Sequence, residues 1–320
     1  MAMNVKQLRN TLLLVLTALI WGCSFVAQSV GADHVGPFTF LATRSWLGGI
    51  VLLPVIAIMD AQKRKQLGYS AESQPETQKK NRRTLLIGGF CCGLFLFLAS
   101  LTQQIGLAST TTAKAGFITT LYVVIVPILT LFMGRKIGKK IWLCVVMGVV
   151  GLYLLCMTGS LTLEYGDAMV LLCAFLFAGH ILVIGHFSPH LDGIRLSCAQ
   201  FFVTAIISTI CMFLFEQPTL ATLQSAALPI LYAGILGSGV GYTLQVVAQK
   251  GLNPTIASLT MSLESVFSAL AGWVLLGQGL SVRELAGCLL MFAAIVLAQL
   301  PDRKAPQTDN ASEAIPSSES

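Results

Sequence analysis

Gln104-Ile105-Gly106-Leu107, a Thr-rich turn, and an apolar run carrying Leu121-Tyr122-Val123-Val124 and ending at Gly134 form a stretch that the sequence uses twice. The second copy reads Gln249-Lys250-Gly251-Leu252, then Asn253-Pro254, then an apolar run carrying Leu263-Glu264-Ser265-Val266 and ending at Gly277. Gly89, Gln104, Gly106 and Leu107 recur 145 residues later as Gly234, Gln249, Gly251 and Leu252. A repeat of this length in an apolar chain predicts two halves packed around a shared pathway.

Composition places the chain in a membrane. Of 320 residues, 55% are hydrophobic and only 11% charged, and the mean hydropathy is +0.78. Long uncharged apolar runs are spanning helices, each needing about 20 residues to cross the bilayer. The nine cysteines all fall inside apolar segments, and no C-x-x-C pair occurs. They read as small packing residues, with no disulfide framework, metal site or cofactor implied.

Ten spans are expected, over 10–30, 38–58, 84–106, 114–133, 141–158, 168–187, 196–215, 227–248, 255–276 and 284–300. Short connections make neighbouring helices antiparallel. The polar stretch 59–83 reads as a solvated loop, and residues 301–320, rich in Pro, Ser, Asp and Glu, as a disordered tail. Ile20-Trp21-Gly22-Cys23 does not make a cleavage site, because Trp is too bulky there, so the first span is expected to stay.

Lys and Arg set the orientation. With the N-terminus cytoplasmic, seventeen of the twenty fall on the cytoplasmic side. They include Lys63 to Lys65, Lys79 to Arg83 and Arg135 to Lys140. Only Lys114 and Arg283 fall opposite, and Arg44 lies within a span. Both termini are thus expected inside, in the cell's inner (plasma) membrane. The net charge of +6 is a topology signal that needs no nucleic-acid partner. Five spans per half is an odd number, so the halves must be inverted, which suits an outward and an inward gate around one midplane site.

Trp21-Gly22-Cys23-Ser24-Phe25-Val26 resembles the W-G-x-S/T-F motif of the EamA-type drug/metabolite transporters. Pro37-Phe38 to Arg44 is similar to that family's second span. Gln104 to Leu107, with Ala115 to Ile118 and Leu121 to Pro127, resembles its span 3–4 junction. Leu263 to Phe267, with Gly272-Trp273 and Leu276-Gly277, resembles its span 9. Ser265, Gln278 and Arg135 stand where the family commonly has Pro, Glu and Glu. The resemblance covers about residues 10–300. It implies an all-α integral membrane protein of ten transmembrane helices in two inverted five-helix repeats, 1–160 and 161–300, followed by a cytoplasmic tail, 301–320. It also implies export or exchange of small metabolites.

Glu264 is the leading candidate, central in span 9. An ionised carboxylate at that depth costs about 2.5–3.5 kcal/mol even on insertion scales, so it should face a cavity or a partner. It either binds a substrate amine or takes up a proton, or it donates a hydrogen bond that holds helices together. Arg44, seven residues into span 2, either attracts an anionic group or snorkels to the outer headgroups. His180, central in span 6, is a proton relay or a histidine bonded to a backbone carbonyl. Trp21, Phe97, Tyr122 and Tyr242 are aromatic within spans, away from the interfacial belts. They wall a pocket or pack helices, and Tyr122 aligns with Glu264 in the repeat. Gly237-x-Gly239-x-Gly241 in span 8 lets helices approach and offers a bend.

Three functions compete. A secondary carrier fits inverted halves, a central acid and the lack of a catalytic motif. An intramembrane enzyme would pair Ser238 with His180, but Leu236 breaks the G-x-S-G frame. A channel or receptor lacks the symmetric rings of a pore, and no G-x-x-x-x-G-K-S/T loop for ATP occurs. The expectation is therefore a non-enzymatic exporter of small metabolites, amino acids or related amines first, working by alternating access in a lipid bilayer with protons as the coupling ion. Passive exchange and a homodimer stay open.

Overall fold

The structure is a computed structural model in which residues 5–67, 75–110, 112–156, 164–276 and 281–300 are described. The tail expected over 301–320 lies outside them. The described residues are helical throughout, joined by turns. The elements are α1 (Val5–Ala32), α2 (Pro37–Leu67), α3 (Pro75–Leu107), α4 (Thr112–Thr120), α5 (Tyr122–Phe132), α6 (Lys139–Cys156) and α7 (Tyr165–Phe187). Then come α8 (Gly193–Phe215), α9 (Leu220–Ser225), α10 (Ala227–Leu231), a π-helix (Tyr232–Tyr242), α11 (Thr243–Gln249), α12 (Pro254–Met261), α13 (Leu263–Leu276) and α14 (Val282–Gln299). Among the described residues, seven stretches are long and apolar enough to cross a membrane, including Ala115–Phe132 through α4 and α5 and Ala227–Gln249 through the π-helix.

The chain writes its own helix ends. Asp192 caps α8, its Oδ1 accepting from the Ile194 and Arg195 amides at 3.1 Å. Asn253 caps α12, with Pro254 at the first helical position, where a missing N–H costs nothing. α5 stops at Gly134, which sits at φ +76. The Gly134 amide donates to Leu131 O and the Arg135 amide to Thr130 O, a Schellman closure that needs a left-handed residue.

Residues 59–67 and 75–83 are not part of the solvated loop expected from their polarity. Most of the stretch 59–83 is helix, because α2 runs on to Leu67 and α3 begins at Pro75. Gln, Lys, Arg and Glu are good helix formers, and extending an existing helix avoids the cost of nucleation. Residues 61–63 and 81–83 are exposed, as polar extensions beyond an apolar span should be.

Three kinds of packing hold the bundle. α2 lies along α8, and α6 along α14. α3 packs on α7 and α8, while the π-helix packs on α1 and α2. α4 and α5 pack on α7, while α13 and α12 pack on α1. The α2–α8 pair is tied at both ends. At one, the Glu216 carboxylate accepts from the Phe38 and Thr39 amides at 2.9 and 2.8 Å and from Thr39 Oγ1. At the other, Arg195 pairs with Asp60 at 2.5 Å and Lys63 reaches Asp192 at 3.7 Å.

Two interrupted helices cross in the middle. The run α4–α5 breaks at Leu121 and the run α12–α13 at Ser262. α4 meets α13 and α5 meets α12. At the crossing, Thr120 Oγ1 and Ser265 Oγ lie 2.8 Å apart.

Candidate functional site

Glu264 sits two residues beyond the Ser262 break, and Tyr122 one residue beyond the Leu121 break. The crossing therefore brings them face to face, and the Tyr122 hydroxyl donates to Glu264 Oε1 at 3.0 Å. Both are almost wholly buried. α1 comes close at the same level because Gly22 has no side chain. A Cβ there would lie 2.7 Å from both Glu264 O and the Phe267 Cβ.

This acid opens on a cavity of about 540 Å³ of empty space. Trp21, Phe25, Tyr122, Phe177 and Tyr242 form an aromatic wall. Gln28, Arg44 and Gln103 line the part nearest the α1–α2 turn, while Gln245, Met261 and Glu264 lie deeper. Ser24, Thr119 and Ser238 add hydroxyls. Among the described residues the lining thus holds one acid and one cation beside aromatic and neutral polar groups, the mix of a small-molecule site with few orienting contacts.

The π-helix shapes one wall. Its Gly237 carbonyl accepts from Trp21 Nε1 at 3.2 Å, and its Gly241 carbonyl from Thr17 Oγ1 at 3.3 Å. Trp21 and Tyr242 rings pack with centroids 4.5 Å apart. π-helical turns are uncommon and recur at functional sites. Here the glycines at 234, 237, 239 and 241 leave the backbone free of side-chain crowding on the α1 and α2 faces.

Arg44 lines the cavity. It is 6% exposed, its Nη1 donates to Gln28 Oε1 at 3.0 Å, and its guanidinium lies over the Phe40 ring at 5.8 Å.

Of the seven residues singled out in the sequence, five line the cavity: Glu264, Tyr122, Trp21, Tyr242 and Arg44. His180 and Phe97 are buried but do not. His180 stands behind Tyr242, ring centroids 6.0 Å apart, with Nε2 3.0 Å from Gln200 Oε1. Ser238 faces the cavity while His180 Nε2 lies against Gln200, and among the described residues no hydrogen bond joins Ser238 to His180. Sequence reasoning passed over Gln28, Gln103 and Gln245. Their signal was available, as amides inside apolar spans carry the same burial cost that drew attention to Glu264.

A model of the EamA-like transporter family matches residues 9–157 and again residues 164–300. The chain belongs to this family. It is a multi-pass membrane protein of a transporter family. An uncharacterized transporter of Archaeoglobus fulgidus is 28% identical over 93% of this EamA-like chain and 88% of its own. An uncharacterized transporter of Bacillus subtilis is 21% identical over 89% and 94%. A crystal structure of a protein shares the fold at a TM-score of 0.69, with 20% identity, over 91% of this chain and 96% of that one.

Proposed function

We propose that this EamA-like protein is a secondary transporter that exports small amine-bearing metabolites, amino acids among them, by alternating access with a proton as the coupling ion. The observation that carries the reading is the Glu264–Tyr122 pair at the crossing of two broken helices, on the floor of the cavity. A carboxyl at mid-depth that faces a cavity is a binding or proton-carrying group by position. Its hydroxyl partner supplies a donor whenever the carboxyl is charged.

Ten crossings in two inverted halves, 1–160 and 161–300, are supported by the packing. Exchanging the n-th crossing of one half for the n-th of the other maps the most extensive helix pairings onto one another. α3 on α7 becomes the π-helix on α1, α3 on α8 becomes the π-helix on α2, and α4–α5 on α7 becomes α12–α13 on α1. α2 with α8 and α6 with α14 map onto themselves. Seventeen basic residues against two support cytoplasmic termini in the inner membrane. In that orientation the cavity runs from mid-depth toward the outer end, with the inner half packed.

The test is flux in proteoliposomes loaded with amino acids, polyamines or nucleosides under a pH gradient, following solute and proton together. The expected result is coupled flux that falls to the level of empty liposomes in Glu264→Gln, with the variant still monodisperse in detergent. Unchanged flux in that variant would assign Glu264 to packing. Solute exchange without proton movement would favour a passive exchanger.

A further inference from the structure

The cavity has a second pole. Arg44 is a buried guanidinium on its lining, and the one side-chain bond it makes among the described residues, to neutral Gln28, uses a single nitrogen. No carboxylate of the described residues lies within ion-pair distance of it. Glu216, which closes the same end of the bundle, is spent on the amides of Phe38 and Thr39. Glu264, the one acid of the lining, is engaged by Tyr122. An intramembrane cation without a counter-charge is costly, and such residues characteristically mark where a substrate's charge goes. A guanidinium with free nitrogens matches the planar fork of a carboxylate.

Resting on the transporter reading above, we propose that Arg44 is the specificity-determining residue for an anionic group and that the substrate is a dipolar molecule. Its carboxylate sits at Arg44 and its amine at Glu264, with the body of the molecule along the Trp21, Phe25 and Tyr242 wall. Among the described residues the lining offers one cation, which suits a monoanionic carboxylate and falls short of what a phosphate dianion needs. Gln28 holds the guanidinium over the Phe40 ring and so aims its remaining nitrogens. Amines of equal size without the carboxylate leave a buried cation unpaired and are rejected.

Methyl esters test this, because they keep the amine and the bulk of an amino acid and remove only the negative charge. Leucine and phenylalanine, each beside its methyl ester, are titrated against the full-length protein in detergent, reading thermal stabilisation. The same four compounds are then assayed for flux in liposomes. Wild type is expected to prefer each acid over its ester by roughly ten-fold or more, as for loss of a charge-assisted hydrogen bond. Arg44→Gln should level acid and ester, and Arg44→Lys, which keeps the charge without the fork, should restore part of the preference. Equal response of wild type to acid and ester, no response to any of the four, or a preserved preference in Arg44→Gln overturns the assignment. Flux that still prefers acid over ester in Arg44→Gln would overturn it while leaving the transporter reading intact. Acid-selective binding that depends on Arg44 without any flux would do the reverse.

Discussion

The two ends of the bundle are built from the same helices and differ in what lies between them. Toward the α1–α2 turn the helices part around glutamines, hydroxyls and Arg44, and leave a cavity. Toward the α7–α8 turn they close on one another. Leu14, Val126, Ala248 and Ala257 are fully buried in a packed apolar cluster on that side of Glu264. The acid thus sits at a boundary, with polar space on one side and apolar contact on the other. A bundle that is tied at both ends of α2 and α8 and, among the described residues, opens a cavity on one side of Glu264 has the asymmetry that the proposed alternating access requires of any single state.

The largest expected contrast is in accessibility. With the nine native cysteines replaced, Gln103→Cys should react with a membrane-impermeant maleimide added outside, and Ala257→Cys should not react from either side without substrate. Comparable labelling at both positions breaks the comparison. Next in size is Gly22→Ala. The added methyl would press on Glu264 O and Phe267, and overpacking of this kind costs about 1–3 kcal/mol. The expected outcome is a lower melting temperature in detergent together with loss of flux, and an unchanged melting temperature would show that α1 can yield at this level. The smallest is Tyr122→Phe, which removes one buried hydrogen bond worth about 1 kcal/mol. It should reduce flux while leaving the fold and the inner packing intact. Flux equal to wild type would mean that Glu264 works without its hydroxyl partner.

The sequence made the apolar segments legible because each needs a long uncharged run, and the described helices fall on them. It made Glu264, Arg44, Trp21, Tyr122 and Tyr242 legible because charge and aromatic bulk are conspicuous at mid-span. It did not reveal the breaks at Leu121 and Ser262, since neither position holds Gly or Pro, and the bonds beside them, Thr120 with Ser265 and Tyr122 with Glu264, join residues far apart in sequence. Nor did the repeat foretell the backbone. The two Gln-x-Gly-Leu copies are alike as letters, yet Gly106 lies inside α3 and Gly251 turns the chain at φ +82. Likewise α3 is a regular helix where its counterpart carries an eleven-residue π-helix, a change that follows from four glycines of which the first copy keeps only Gly89. His180 and Phe97 were conspicuous for the same reasons as the true lining residues. Only tertiary packing turns them behind the wall.

The cap on α2 has a consequence for how the protein is made. The amides of Phe38 and Thr39 emerge early from the ribosome, and the carboxylate that satisfies them belongs to Glu216, 178 and 177 residues later. During synthesis the N-terminal end of α2 therefore waits for this cap until α8 has been made and Glu216 follows its last residue. Asp60 waits in the same way for Arg195. The half that is translated first is a provisional arrangement, and its second helix reaches its final bonds only when the second half arrives to hold it.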